Sequence, residues 1–277
     1  MSFSKNQIEQ LNGHLTDVLN ELHDLQLQVV VQGQQFETTS RVYEHLVHGA
    51  GRRISIIRRS IENVFALFPP STSRPLDRNA VSDIQINLHA FVMNLYGIYD
   101  NWAWTYVLRH NLEAVIGDRR RIGMFIDATR NRLPLPLKSY LVSPISVEWH
   151  EKYAKSYRDA LAHRIPPFIP PAEYKPDESR RYNELEAEKV EYIRSQSWEK
   201  LDNVWAEQSA LGRPCFKFLH AFAEDGPARP ILIHPQMLSD GKTVAEFGHL
   251  FLKHWHEDAQ PVVAGDAAPK GRAAPLN

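Results

Sequence analysis

Cysteine is almost missing from this chain, with Cys215 the single one in 277 residues. No intrachain disulfide or multi-cysteine zinc site can form, and nothing calls for an oxidising compartment. Phe216 and Phe218 flank that thiol in a core-like segment, where free cysteine behaves as a small apolar side chain rather than a nucleophile. Long apolar runs are missing too: none approaches the roughly 20 residues of a membrane span. The start Met1-Ser2-Phe3-Ser4-Lys5-Asn6 lacks the apolar stretch of a signal peptide. A cytoplasmic protein without membrane contact is therefore expected. The chain also lacks an excess of either charge; its formal net charge is -1. Whole-molecule attraction to a polyanion is excluded as the main driving force, so nucleic acid would have to meet a local basic patch.

Several chemical signatures are likewise absent. The phosphate loop Gly-x-x-x-x-Gly-Lys, the dinucleotide glycine fingerprint and the Gly-x-Ser-x-Gly elbow do not occur, so ATP hydrolysis, hydride transfer and esterase chemistry lack support. Glu246-x-x-His249 is half of a carboxylate di-iron pattern with no second Glu-x-x-His helix to complete it. His254 and His256 do not share a helix face, and Glu44-His45-Leu46-Val47-His48 reverses the order of a zinc-protease motif. No metal and no cofactor are expected.

What the chain does have is helical periodicity. Ile8, Leu11, Leu15, Val18, Leu19, Leu22 and Leu25 recur at three- and four-residue steps and predict a helix over 5–30. A second stripe, Val42, Leu46, Ala50, Ile54, Ile57, Ile61 and Phe65, runs until Pro69-Pro70 removes two backbone donors. The stripe Ile84, Leu88, Phe91, Leu95, Ile98, Trp102 and Tyr106 predicts a central helix over about 80–110, apolar around much of its circumference. One short helix is expected between Leu112 and Pro136. Ser146 is the candidate cap of the next helix, whose apolar residues Val147, Trp149, Tyr153, Tyr157 and Leu161 carry it towards Pro166.

Five prolines in 166–177 predict an extended connection and mark the best internal boundary. Beyond it lie a charged helix from Glu178 and a continuation through Trp198 to Gly212. A short hairpin over Phe216–Phe222 and Ile231–Ile233, turning at Glu224-Asp225-Gly226-Pro227, precedes helical spacing from Val244 to Trp255. The predicted organisation is an N-terminal helix (1–34), a helical bundle (35–167), a small C-terminal α+β appendage (168–257) and a disordered tail (258–277). The fold class is mainly α.

One segment suggests chemistry: Tyr157-Arg158-Asp159-Ala160-Leu161-Ala162-His163-Arg164, running into Ile165-Pro166-Pro167. A permanent cation stands five positions before a group that carries protons near neutral pH, beside a chain break. On one ideal helix the two side chains point about 140° apart. Either the last turn unwinds and swings His163 round, or two copies of the helix meet and each contributes to a shared cleft. A charged imidazole can donate a proton to a leaving alkoxide, while the guanidinium fork of Arg158 suits a phosphate and its developing charge. RNA cleavage by the substrate's own 2′-hydroxyl needs those parts. The spacing is equally compatible with Arg158 paired to Glu151 or Asp159 and His163 capping helix carbonyls.

The hexad Arg158 to His163 resembles the Arg-polar-x-x-x-His motif of the HEPN superfamily, the higher eukaryotes and prokaryotes nucleotide-binding domains. The resemblance covers about 35–167 and implies a helical bundle, often dimeric. It implies a metal-independent endoribonuclease of toxin or phage-defence type, with Arg158 and His163 catalytic, Asp159 at the polar position, and an antitoxin or defence protein as a partner. The prokaryotic toxin branch has Tyr two residues after the His, where this chain has Ile165, and many superfamily members are catalytically silent binding or dimerisation modules. Asp100 and Asn101 place two polar groups on the otherwise apolar central helix. Such groups need partners when buried: the pair either orients Arg158 or His163 or forms a structural hydrogen-bond pair. Arg52, Arg58, Arg59, Arg164 and Arg119 to Arg121 are the candidate RNA-backbone contacts, or simply a solvated face.

Overall fold

The structure, a computed structural model, describes residues 3–222 and 226–260. Helix α1 (Lys5–Gly33) starts where the Ser4 hydroxyl accepts from the Gln7 amide and the Gln7 side chain accepts from the Ser4 amide. This reciprocal cap satisfies two of the donors that a helix start leaves free. Its predicted stripe is the buried one, with Leu22 and Leu25 fully enclosed, and the same face continues to buried Val29. Helix α2 begins as Arg41–Tyr43 under a Ser40 cap, widens to a π-helix over Glu44–Gly51, and runs on as Arg52–Leu67 to the Pro69-Pro70 stop. Helix α3 (Arg78–Arg109) starts at Asp77, whose carboxylate accepts from the Asn79 and Ala80 amides.

The single short helix expected before Pro136 is instead a chain of short pieces. They are α4 (Glu113–Ile116), a 3₁₀ turn (Arg119–Arg121), α5 (Asp127–Arg130) and, beginning at Leu135, α6 (Leu135–Leu141). Gly117, at φ +82°, ends α4 in a conformation that other residues rarely adopt. Buried Thr129 then ties the segment by accepting from the Gly123 amide and donating to the Arg121 carbonyl. Helix α7 runs as Pro144–Glu148, a π-helix Trp149–Ala154, and Lys155–His163. Its cap is Ser143, not Ser146, because Pro144 is pre-set for the first helical position and the Ser143 hydroxyl accepts from the Ser146 amide.

After the proline-rich stretch, which bridges Phe168 to Leu219 and Glu173 to Arg213, α8 (Pro176–Arg194) and α9 (Trp198–Ala210) pack on each other. Strands β1 (Lys217–His220) and β2 (Arg229–Leu232) pair antiparallel with Phe218 opposite Ile231; part of the expected turn, at 223–225, lies outside the described residues. Helix α10 (Ile233–His254) starts about ten residues earlier than the spacing suggested. Pro235 falls in its first turn, where a missing amide hydrogen costs nothing. The tail beyond 260 lies outside the described residues.

The coarse expectation of a mainly α protein with a small β-hairpin holds. The last helix of the expected appendage belongs to the main core, however. It lies along α1 and touches α2, α3 and α6, and its Phe247, Phe251 and the adjoining Trp255 are fully buried with Trp102 of α3. Each such ring contributes about 1.5–3 kcal/mol by leaving water. No described helix is long and apolar enough to cross a membrane.

Asp240 of α10 is 2% exposed, and its Oδ1 accepts from Trp149 Nε1 of α7 and from Gln236 Nε2, both at 2.9 Å. Burial pushes its carboxyl up to about 6, against the pull of those two donors. A carboxyl raised on folding adds stability that is present below the unfolded value and lost as pH rises through the folded one. Asp240→Asn keeps an oxygen for both donors. Urea melts should therefore show the variant gaining on wild type between pH 4 and 6, to a plateau of about 2–3 kcal/mol above pH 6. A pH-independent difference would refute this account.

Candidate functional site

The polar strip of α3 is where the candidate residues gather. Asn94, Gly97 and Asn101 recur along one line of the helix, and Asp100 and Tyr96 follow round its circumference, because each residue advances about 100°. Arg53 of α2 lies along that line. Its Nε donates to Asn101 Oδ1 at 2.7 Å and its Nη1 to Asn94 Oδ1 at 3.1 Å, and a β-carbon on Gly97 would stand 2.6 Å from its Cζ. The π-helix of α2 brings Gly49 against Asn101, where a β-carbon would meet the amide nitrogen at 2.3 Å. Asn101 is thus locked between the Gly49 approach and an arginine, which is the structural alternative for this residue. Arg53, unnoticed in the sequence between the exposed Arg52 and the rest of α2, is its partner.

Arg158 of α7 covers the next part of the strip, with Cζ 4.4 Å from the centre of the Tyr96 ring. Its Nη1 pairs with Asp159 at 2.9 Å, and its Nε is buried with no hydrogen-bond partner among the described residues. Asp100 keeps an open edge to solvent. The surrounding protein pushes its carboxyl above the usual range, opposed by Arg53 and Arg158. Asp100, Asn101, Arg158 and Asp159 therefore belong to one neighbourhood between α2, α3 and α7.

His163 does not join them. The helix holds its hydrogen bonding through His163 and turns extended only at Arg164, so the last turn does not unwind to swing the ring round. His163 is exposed and makes no hydrogen bond or ion pair with the described residues. Arg164 folds back and donates to the Ser156 carbonyl at 3.1 Å. Arg52 reaches His48 Nδ1 at 3.2 Å, Arg59 and Arg58 both pair with Glu62, and Arg119 to Arg121 form an exposed turn.

The inward face of α7 also differs from the expected one. Val147 is exposed, while Ser146, His150, Ala154, Tyr157 and Ala160 are buried. These buried positions recur at steps of four, four, three and three, an ordinary helical period set one position away from Val147 and Leu161. That face puts His150, 8% exposed, at a cavity of about 240 Å³ lined also by Tyr96, Tyr99, Asp100, Phe125, Glu151 and Lys155. Its ring stacks on Phe125 at 3.7 Å and on Tyr96 at 5.7 Å, and its Nδ1 lies 3.1 Å from Glu151 Oε1. Burial lowers its pKa, against the raising effect of Glu151. Sequence reasoning missed His150; the only signal was its place in the step series Ser146, His150, Ala154, Tyr157.

Arg53 and Gly97 can be separated energetically. Gly97→Ala should destabilise the wild-type chain by about 1–2 kcal/mol, because the hydrogen bonds of a displaced guanidinium outweigh the helix propensity gained. In an Arg53→Ala background the same change should stabilise by up to about 1 kcal/mol. Equal effects in both backgrounds, measured by urea unfolding, would show that the guanidinium is not held over Gly97.

In comparisons with protein-family models, curated proteins and solved structures, the chain matches none.

Proposed function

We propose that the protein is a HEPN-like, metal-independent endoribonuclease that works as a homodimer, with a toxin or phage-defence role and a protein partner that restrains it. The observation that carries this reading is the setting of Arg158. It is a half-buried guanidinium clamped on the Tyr96 ring, with an unsatisfied Nε, and that same ring lines a cavity that holds Asp100 and His150. A fork held in that way is pre-organised to receive a phosphate and the charge that grows on it during in-line attack. The exposure of His163 at the helix end suits the shared-cleft route, in which a second copy supplies the imidazole. In that mechanism the 2′-oxygen attacks phosphorus, Arg158 stabilises the pentacoordinate centre, and His163 protonates the departing 5′-oxygen. The product keeps a 2′,3′-cyclic phosphate.

A second reading is favoured by the separation of Arg158 from His163 within one chain and by the existing Arg158–Asp159 ion pair. It is a catalytically silent module that binds nucleic acid or a protein.

Purified protein should cut a mixed RNA pool in excess EDTA and leave cyclic-phosphate ends. Arg158→Ala and His163→Ala, at unchanged thermal stability, should each slow cleavage by about 10²-fold or more. If Arg52, Arg59 and Arg164 hold the RNA backbone, affinity should also fall steeply with added salt. No cleavage by the wild type, or equal cleavage by all three proteins, would move the assignment to the binding module.

A further inference from the structure

The Arg158–His163 scheme names a proton donor for the leaving oxygen and no acceptor for the attacking hydroxyl. The cavity that Tyr96 borders, next to Arg158, holds a group built for that task. His150 is fixed in orientation by two aromatic faces, Phe125 with an interplanar angle of 12° and Tyr96 at 23°. One ring nitrogen is engaged, since Nδ1 faces Glu151 Oε1. The other, Nε2, makes no hydrogen bond with the described residues, although the ring lines the cavity together with Asp100 and Lys155. A carboxylate that accepts Nδ1–H selects the tautomer whose Nε2 lone pair is free, the arrangement of a general base. His150 lies within the π-helical stretch, and such interruptions concentrate at functional sites.

We propose that His150 is the general base of this cleft, receiving through Nε2 the 2′-hydroxyl proton of the nucleotide whose phosphate lies on Arg158, while Glu151 holds Nδ1. The assignment rests on the ribonuclease reading. The 2′-oxygen gives up its proton to Nε2 and forms the new bond to phosphorus. The bond from phosphorus to the 5′-oxygen breaks with its electron pair on oxygen, and the His163 imidazolium supplies the proton that oxygen takes. The step leaves His150 protonated and His163 neutral, and once the cyclic product leaves, solvent takes the proton from the first and returns one to the second.

Burial of the ring favours a neutral base. From α3 it is faced by Tyr96, Tyr99 and Asp100, from α7 by Glu151, Lys155 and Arg158, and the 123–126 segment contributes no titratable side chain. Burial, with lesser help from Lys155 and Arg158, lowers the imidazole below the ordinary histidine range, whereas Glu151 opposes. A base that stays neutral at lower pH extends activity towards acid, so the acidic limb of kcat/KM should lie below the usual histidine value of about 6.5.

The test uses the full chain and an RNA oligonucleotide in EDTA. His150→Gly opens a slot the size of an imidazole between Phe125 and Tyr96. It should slow cleavage by about 10²-fold or more, and free imidazole should restore at least part of the loss with the acidic limb moved up towards imidazole's own pKa. His150→Phe, which keeps the aromatic stack, should be as stable as wild type and equally slow. Wild-type rates in the Phe variant, or a folded Gly variant that imidazole does not rescue, would overturn the role of His150 and leave the ribonuclease reading standing. A wild-type protein that cuts no RNA would overturn both.

Discussion

Helix α3 is apolar around most of its circumference, and covering it is the constraint from which the rest of the molecule follows. Ile84, Leu88, Phe91, Leu95, Ile98, Trp102 and Tyr106 are all buried, and no single neighbour can shield a face that wide. Helix α2 takes one side, α10 with its Phe247 and Phe251 takes another, and α7 closes a third. One interruption is the strip that holds Asn94, Tyr96, Gly97, Asp100 and Asn101. Hydrocarbon cannot cover that strip without orphaning its polar groups, so guanidinium groups cover it instead. Arg53 lies on Gly97 and Arg158 on Tyr96. The candidate site is therefore the place where the packing problem of the central helix is solved with charge.

Two π-helices border that strip. The stretch Glu44–Gly51 carries Gly49 into contact with Asn101, and Trp149–Ala154 carries the buried His150. The second is pinned from outside the site. Trp149 donates to Asp240 of α10, a buried carboxyl that costs stability when ionised and is tolerated because two donors converge on one of its oxygens. A residue near the C-terminal end of the chain thereby sets the orientation of the segment that presents His150.

Much of this architecture was legible in the sequence because long helices advertise themselves through periodicity. The stripes of α1, α2 and α3 were read correctly from residues such as Leu22, Ile57 and Leu95, since apolar burial acts on every turn and leaves a repeated mark. What escaped were the features with no repeat. The short pieces between Leu112 and Pro136 are held by single contacts such as Thr129 to Gly123. The cap at Ser143 rather than Ser146 depends on one proline, and the early start of α10 on the tolerance of a first turn for Pro235. Val147 looked like a core residue because it is apolar, whereas the buried face at that turn is the one carrying Ser146 and His150.

The sequence by itself determined the helical class, the three long N-terminal helices and the position of the Arg158 hexad, because spacing and proline stops are local properties of the chain. Only the tertiary structure decided which polar residues meet. Arg53 is 41 to 48 positions from the asparagines it binds, Trp149 is 91 from Asp240, and His150 stacks on Phe125 of a separate segment. Contacts of that kind are chosen by how helices pack against one another, and side-chain spacing along one helix carries no record of the neighbour that will lie across it.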